Sequence, residues 1–242
     1  MREKNIDAFK SDIISNNGYL YTNTNKLSCR LSVNRSTQAI HQVLGSIKGK
    51  KVIDIGCGDG VYTKEFIAMQ PESVVGVDPN HSAIELAKKD TIEIGNIHFQ
   101  VMDIYNLPLE QKYDVAIIRG VLHHLYDVEK AIERVCKIAK RIIVLEPNGY
   151  NLILKIIEKT SSYHVQHEEK SYFSHKLNKW FLSNGGRTVK SYYIGLVPIF
   201  FPDFIARVLK FIEPFFEKIP ILRNFCCGQY VQVIQMNNTS FK

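Results

Sequence analysis

Cysteine is scarce and poorly placed for cross-linking. Cys29, Cys57, Cys136, Cys226 and Cys227 are odd in number and contain no C-x-x-C pair, which argues against both a disulfide framework and a zinc site. Reduced thiols suit the cytoplasm. Behind Met1-Arg2-Glu3-Lys4-Asn5 the chain stays polar, without the apolar core of an export signal, and a cytoplasmic location is the expectation. Low-complexity tracts and internal repeats are absent. So is any stripe of Lys and Arg interleaved with aromatics, the longest basic run being Lys48-Gly49-Lys50-Lys51. Nucleic-acid grooves use such stripes, so DNA is not an expected partner and RNA is disfavoured.

What is present is an ordinary globular balance. Of 242 residues, 45% are hydrophobic and 23% charged, enough for a sizeable core and typical of a single open α/β unit of this length. The excess of 31 Lys+Arg over 24 Asp+Glu gives +7, a modest positive field that does not choose among anionic partners.

Residues 1–48 open with polar, aromatic-dotted sequence and close with a helical pattern carrying Ala39, Ile40, Val43, Leu44 and Ile47, ended by Gly49. They read as an N-terminal lid or helical segment preceding a domain over 49–242. From Lys51 onward, short β-rich runs at 52–55, 73–77, 98–102, 114–118 and 141–145 alternate with helical runs at 61–69, 82–89 and 128–138. Ser82 and Glu85 have capping-box spacing. Parallel strands need such crossovers, and right-handed crossovers place helices on both faces, giving an α/β, doubly wound, mostly parallel sheet. Beyond Pro147 come helices near 152–159 and 175–183 and two late strands, 188–194 and 230–236, that read as a closing hairpin. The stretches 150–185 and 196–228 are expected to be helical insertions on the acceptor side.

Ligands of such a sheet sit beyond the carboxyl ends of its strands. After the first strand comes Asp54-Ile55-Gly56-Cys57-Gly58-Asp59-Gly60, in which Gly56, Gly58 and Gly60 let the backbone turn and approach a ligand. Val61 stands where a dinucleotide fingerprint wants its third glycine, which disfavours pyrophosphate and nicotinamide-dependent oxidoreduction. Asp54 adds negative charge, better suited to an ammonium and a sulfonium than to a diphosphate. Asp78, followed by Pro79, ends the second strand, where it can accept from a ribose diol or cap a helix. Asp103 ends the third, where it can accept adenine amino hydrogens beside Ile104 or simply make a turn.

Together, 52–60, 76–80, 102–104 and 119–126 resemble the motifs of the class I S-adenosylmethionine-dependent methyltransferases. The likeness spans about residues 50–149, and Arg119 to Asp127 is similar to the loop after the fourth strand in the small-molecule members. The resemblance implies a seven-stranded sheet with its last strand antiparallel, S-adenosylmethionine along the first four strand ends, Asp78 on the ribose, and the 119–127 loop facing the methyl group. Its cofactor residues carry over onto Asp54, Gly56, Cys57, Gly58, Gly60, Asp78, Pro79, Asp103, Ile104 and Arg119.

Methyl transfer is an in-line displacement with a good leaving group, so alignment and exclusion of water are the main tasks. A hydroxyl acceptor must also lose a proton, and a neutral imidazole is a suitable base at neutral pH. His124 is the first candidate and His123 the second, the bland reading being that one of the pair packs the loop. Arg35, and less clearly Arg30, is positioned in sequence to meet a methionine carboxylate or to remain solvated. Tyr19 and Tyr126 are acceptor-side candidates, with Tyr21 a further lid aromatic. His164 and His167, beside Glu168, read as a hydrogen-bonding rim for the acceptor rather than a metal site, and no metal is expected.

The segment 199–219 is unusually apolar but is interrupted by Asp203, Arg207, Lys210, Glu213 and Glu217. Pro198, Pro202, Pro214 and Pro220 are expected to break any single helix there. Burial against the sheet or in a homodimer, a wall for a lipid-like acceptor, and an interfacial membrane contact are its three readings. For the whole chain, methylation of a small molecule at oxygen or nitrogen is the leading function; RNA methylation and a noncatalytic cofactor-binding module are the alternatives. The fourth strand ends in Ile118-Arg119-Gly120, without the Asn/Asp-Pro-Pro-aromatic motif used on flipped bases.

Overall fold

The computed structural model describes residues 13, 18, 19, 22, 24–89, 91, 95–160 and 170–237. Seven strands, β1 (Lys51–Ile55), β2 (Ser73–Asp78), β3 (Ile97–Val101), β4 (Tyr113–Arg119), β5 (Ala139–Pro147), β6 (Gly186–Ile194) and β7 (Gln229–Met236), form one sheet. Its order is β3-β2-β1-β4-β5-β7-β6, with β7 antiparallel to both neighbours. The late strands pair as the expected hairpin, from Gly186 opposite Met236 to Ile194 opposite Gln229.

Side chains of a strand alternate faces, and here each face has its own core. Ile53, Ile55, Ala116, Ile118, Ile142 and Val144 join one cluster, while Val52, Val115, Ile117, Ile143 and Leu145 join the other. The first face is covered by α4 (Val128–Cys136) and α6 (Ser174–Ser183), through Ala131, Ile132, Val135, Leu177 and Phe181. The second is covered by α1 (Leu27–Leu44) and α3 (His81–Lys89). Strands buried on both faces must be continuously apolar there, as Val115–Ile118 of β4 and Ile142–Leu145 of β5 are. Each fully buried Ile or Leu contributes roughly 1.5–3 kcal/mol of transfer free energy.

Helix α1 begins earlier and ends sooner than its apolar spacing suggests, terminating at Gly45 with φ 63°. Arg141 of β5 closes that end, its guanidinium donating to Val43 O at 2.5 Å and Leu44 O at 2.9 Å. A partner 97 positions away is invisible to local pattern reading. The run 61–69 is a short α2 (Val61–Glu65) that tightens into a 3-10 turn over Phe66–Met69. The cap of α3 is Asn80 rather than Ser82: Asn80 Oδ1 accepts Ser82 N at 3.0 Å and Ala83 N at 3.4 Å, two residues before a Ser82–Glu85 box would act.

The C-terminal apolar segment departs furthest from expectation. It folds into α7 (Asp203–Lys218), which runs through Pro214, and α8 (Pro220–Cys226). Pro214 removes one donor from the ladder, but the turns around it are pinned from outside: Leu196 N donates to Glu213 Oε2 at 3.0 Å and Gly195 N to Glu217 Oε1 at 2.9 Å. Burial against the sheet fails for its aromatic face, because Phe204, Val208, Phe211 and Phe215 are exposed. Helix α5 (Leu152–Thr160), which meets α8, also shows Leu152, Ile153 and Ile156 to solvent.

Candidate functional site

Strand order reverses between β1 and β4, which opens a crevice at their carboxyl ends. The loops after these two strands therefore lie side by side. Gly56, at φ 75°, has Val121 so close that a Cβ there would fall 2.3 Å from Val121 Cγ2. Gly60, at φ 74°, has Phe99 and Ala87 at 2.7 Å and 2.9 Å from the same imaginary atom. The glycines are thus required both by handedness and by close approach.

The loop hangs on β2 by its backbone, with Gly56 N and Cys57 N donating to Val77 O at 2.8 Å and 3.1 Å. Asp78 at the tip of β2 takes Gly58 N on Oδ2 at 3.1 Å and Asn80 N on Oδ1 at 2.8 Å. Burial raises its carboxyl to about 6 against the pull of those two amides, and Asp54 and Asp59 nearby add to the rise. Pro79 is half-buried between Asp78 and Asn80. The Cys57 thiol is buried against Gly76, and burial holds it well above its usual range.

Asp54 is also buried and pushed up to about 6, chiefly by burial, and it accepts Thr63 Oγ1 at 2.5 Å. It braces α2 beneath the loop and faces Arg119. That guanidinium donates to Thr37 Oγ1 at 3.0 Å and Val33 O at 3.3 Å, and lies 3.9 Å over the Tyr62 ring. Asp54, Tyr62, Arg119 and Thr37 line a small cavity of about 10 Å³, the size of one water.

Other sequence candidates fall elsewhere. Arg35 is committed to α7, with Nε and Nη2 donating to the two Glu217 oxygens at 2.8 Å and 2.7 Å. The guanidinium thus already has a bidentate anionic partner within the protein. Asp103 caps the 3-10 turn Ile104–Asn106 through Tyr105 N at 3.2 Å, and Ile104 is buried in the first core rather than presented as a flat platform. Tyr126 is exposed and its ring lies 4.8 Å from that of Tyr105. Tyr19 covers the glycine loop, its Cε2 standing 2.6 Å from where a Gly58 Cβ would be. Its segment is tied down by Asp59, whose Oδ2 accepts Tyr19 N at 3.2 Å and Thr22 Oγ1 at 2.6 Å. Burial and the carboxylates of Asp78 and Asp59 push the Tyr19 phenol up. Tyr21, His164 and His167 lie outside the described residues.

The strongest polar construction in the crevice centres on a residue that sequence reading had not singled out. Glu146, at the carboxyl end of β5, is fully buried. Oε1 accepts Val121 N at 2.9 Å and Leu122 N at 2.8 Å; Oε2 accepts His123 N at 3.2 Å and lies 2.8 Å from His123 Nδ1. One carboxylate thus shapes the 3-10 turn Leu122–His124 and orients the imidazole within it. An ionised partner at Nδ1 favours the tautomer with its proton there, which leaves Nε2 as a base. The His124 ring stands 3.8 Å from that of His123. The sequence signal was available: an acid ends the apolar run Ile142-Ile143-Val144-Leu145, as Asp78 ends its own.

The residues present suit a cationic nucleoside. Glycines form a cradle that a Cβ would fill, and the buried carboxylates of Asp54 and Asp78 stand on one side of it.

Comparison with known proteins agrees with this geometry. A family profile described as a methyltransferase domain matches residues 46–189. The ubiquinone biosynthesis O-methyltransferase of Haemophilus ducreyi is 34% identical over 119 residues, which cover 46% of this chain and 47% of that protein. Its namesake from Nitrosomonas europaea is 31% identical over 104 residues, covering 42% and 44%. The chain spans about half the length of the curated relatives it matches. Among solved structures, magnesium protoporphyrin IX methyltransferase from Synechocystis PCC 6803 with bound SAM superposes with a TM-score of 0.66 over 98% of both chains at 16% identity, a likeness of fold.

Proposed function

Because the chain belongs to the methyltransferase-domain family, we propose that it is an S-adenosylmethionine-dependent enzyme that methylates a small molecule at oxygen or nitrogen. The observation that carries the proposal is the His123–Glu146 pair, set in a loop that packs directly on the glycine turn through Val121 and Gly56. When bound, S-adenosylmethionine supplies a methyl group on a cationic sulfur, already activated toward attack.

The chain's own residues do the rest. The glycine loop and Asp78 would hold the nucleoside, and Asp54 keeps the loop in shape through Thr63. His123 Nε2 takes the proton from an acceptor hydroxyl as the new bond forms, and Glu146 stabilises the resulting imidazolium. The Glu146 contact is what favours His123 over His124 in this reading. His124 serves instead as the ring that backs it. Small-molecule O-methyltransferases among the relatives support the acceptor class.

The test is to incubate the purified protein with methyl-labelled S-adenosylmethionine and host extract separated into metabolite, lipid, RNA and protein fractions. Label in metabolite or lipid supports the proposal. Label confined to RNA would transfer the assignment to RNA methylation, and calorimetric binding of the cofactor without label in any fraction would leave a noncatalytic binding module.

A further inference from the structure

We infer that the outward face of α7, together with its neighbours α8 and α5, is a docking surface for an anionic lipid bilayer. A helix on a water-soluble domain normally turns its apolar stripe inward. Helix α7 is inverted. Its inward face carries Glu213, which is 2% exposed, and Glu217, which is held by Arg35 and Gly195 N. Its outward face carries Phe204 at 77% exposure and Phe211 at 87%, with Val208 and Phe215 completing the stripe. The carboxylates bond specific partners across the inward face, so the helix cannot rotate to bury its aromatics without stranding them.

The patch continues beyond α7. Ile221 and Phe225 of α8 and Leu152 and Ile156 of α5 are exposed too. The two short helices are joined by Asn151 Nδ2, which donates to Cys226 O at 3.0 Å. A contiguous apolar surface of this kind marks a binding face.

Charge selects the occupant. Arg207, Lys218 and Lys159 stand exposed among the aromatics, whereas the acids Glu213 and Glu217 point inward and leave Asp203 as the exposed acid of α7. Phe on one flank and Lys or Arg on the other is the pattern of a helix lying in the plane of an anionic membrane. A second copy of the chain docked by a two-fold axis would set basic rim against basic rim, which disfavours it. Crossing the bilayer is not involved: among the described residues no helix is long and apolar enough to span a membrane. The surface adjoins the crevice, since Asn148, two positions beyond Glu146, donates its Nδ2 to Cys227 O at the end of α8, at 2.8 Å. Docking would bring the site to the lipid surface.

The test is co-sedimentation of the full chain with vesicles of phosphatidylcholine alone and of phosphatidylcholine mixed with phosphatidylglycerol. The expected result is binding to the mixed vesicles only, weakened by salt. The double variant Phe204→Ser/Phe211→Ser should lower the bound fraction at least roughly tenfold, and Arg207→Glu/Lys218→Glu should do the same. Both pairs are exposed, so circular dichroism and S-adenosylmethionine titration should match wild type. Wild-type protein left in the supernatant, equal binding to both vesicle types, or binding indifferent to the Phe changes would each overturn the inference. So would a dimer in sedimentation equilibrium that Phe211→Ser dissolves without any vesicle binding, which would assign the face to a second copy. Cofactor titration keeps the two conclusions apart: affinity for the cofactor without vesicle binding sinks the docking surface alone.

Discussion

Glu146 Oε2 lies 2.8 Å from His123 Nδ1, while the same carboxylate collects the three backbone amides of Val121, Leu122 and His123. Orientation of the His123 imidazole and the shape of its loop are therefore one construction. Replacing Glu146 by Gln keeps the size but removes the charge and turns an acceptor into a donor facing amides. The turnover rate should fall about 10–100-fold, with thermal stability lowered by about 1–3 kcal/mol for the stranded amides. His123→Asn should match the rate loss without the stability loss. Steady-state kinetics check this; a His123→Asn enzyme at full rate would remove His123 from the chemistry.

Asp54 and Asp78 both have carboxyls lifted by burial from 3.8 to about 6. A cationic cofactor favours their charged forms, so below about 6 binding requires protons to leave. Its Kd should rise as pH falls through that value, by up to roughly tenfold per pH unit for each coupled carboxyl. Asp78→Asn should weaken binding and flatten the dependence. For the unliganded protein the native state is the proton-richer one between 3.8 and about 6. Stability from these two groups is accordingly greatest below 3.8 and declines as pH rises through that window. Calorimetric titration at several pH values decides the first point, and affinity independent of pH would contradict it.

Gly56→Ala should be more damaging than its single methyl suggests. The backbone sits at φ 75° and the added carbon would meet Val121 Cγ2 at 2.3 Å. Strain and clash together should cost about 2–4 kcal/mol and displace the 121–124 turn along with the glycine loop. Cofactor affinity and rate should fall together. Combining it with Val121→Ala should recover part of both, whereas a double mutant no better than the single would show the contact to be unimportant.

Arg35→Ala separates two roles. Its loss leaves the part-buried Glu217 carboxylate with Gly195 N alone, while Glu213 keeps Lys210 and Leu196 N, at about 1–3 kcal/mol of stability. Cofactor Kd should stay within about twofold, given that no ligand contact is lost. Denaturant melts and titration together test this. A stable variant with weakened cofactor binding would return Arg35 to the site.

The parallel sheet was legible from residue order alone, because strands buried on both faces must be continuously apolar and must alternate with crossover helices. The glycine loop and the acids after it were legible for a related reason: in this architecture the chemistry collects where strands end, and those ends can be counted along the chain. What each residue does there was less visible. Asp54, Arg119 and Ile104 carry the right residue types for a cofactor site, yet their partners are Thr63, Thr37 and the core.

Everything that depends on residues far apart in sequence waited for the tertiary structure. Glu146 reaches back 23 positions to His123. Arg35 meets Glu217 across 182, and that pairing decides which side of α7 faces inward. A helix's own periodicity names an apolar stripe but not what stands opposite it. Local order determined which elements form and in what sequence; only the packing of distant segments decided which carboxylate orients the His123 imidazole and which aromatics remain in water.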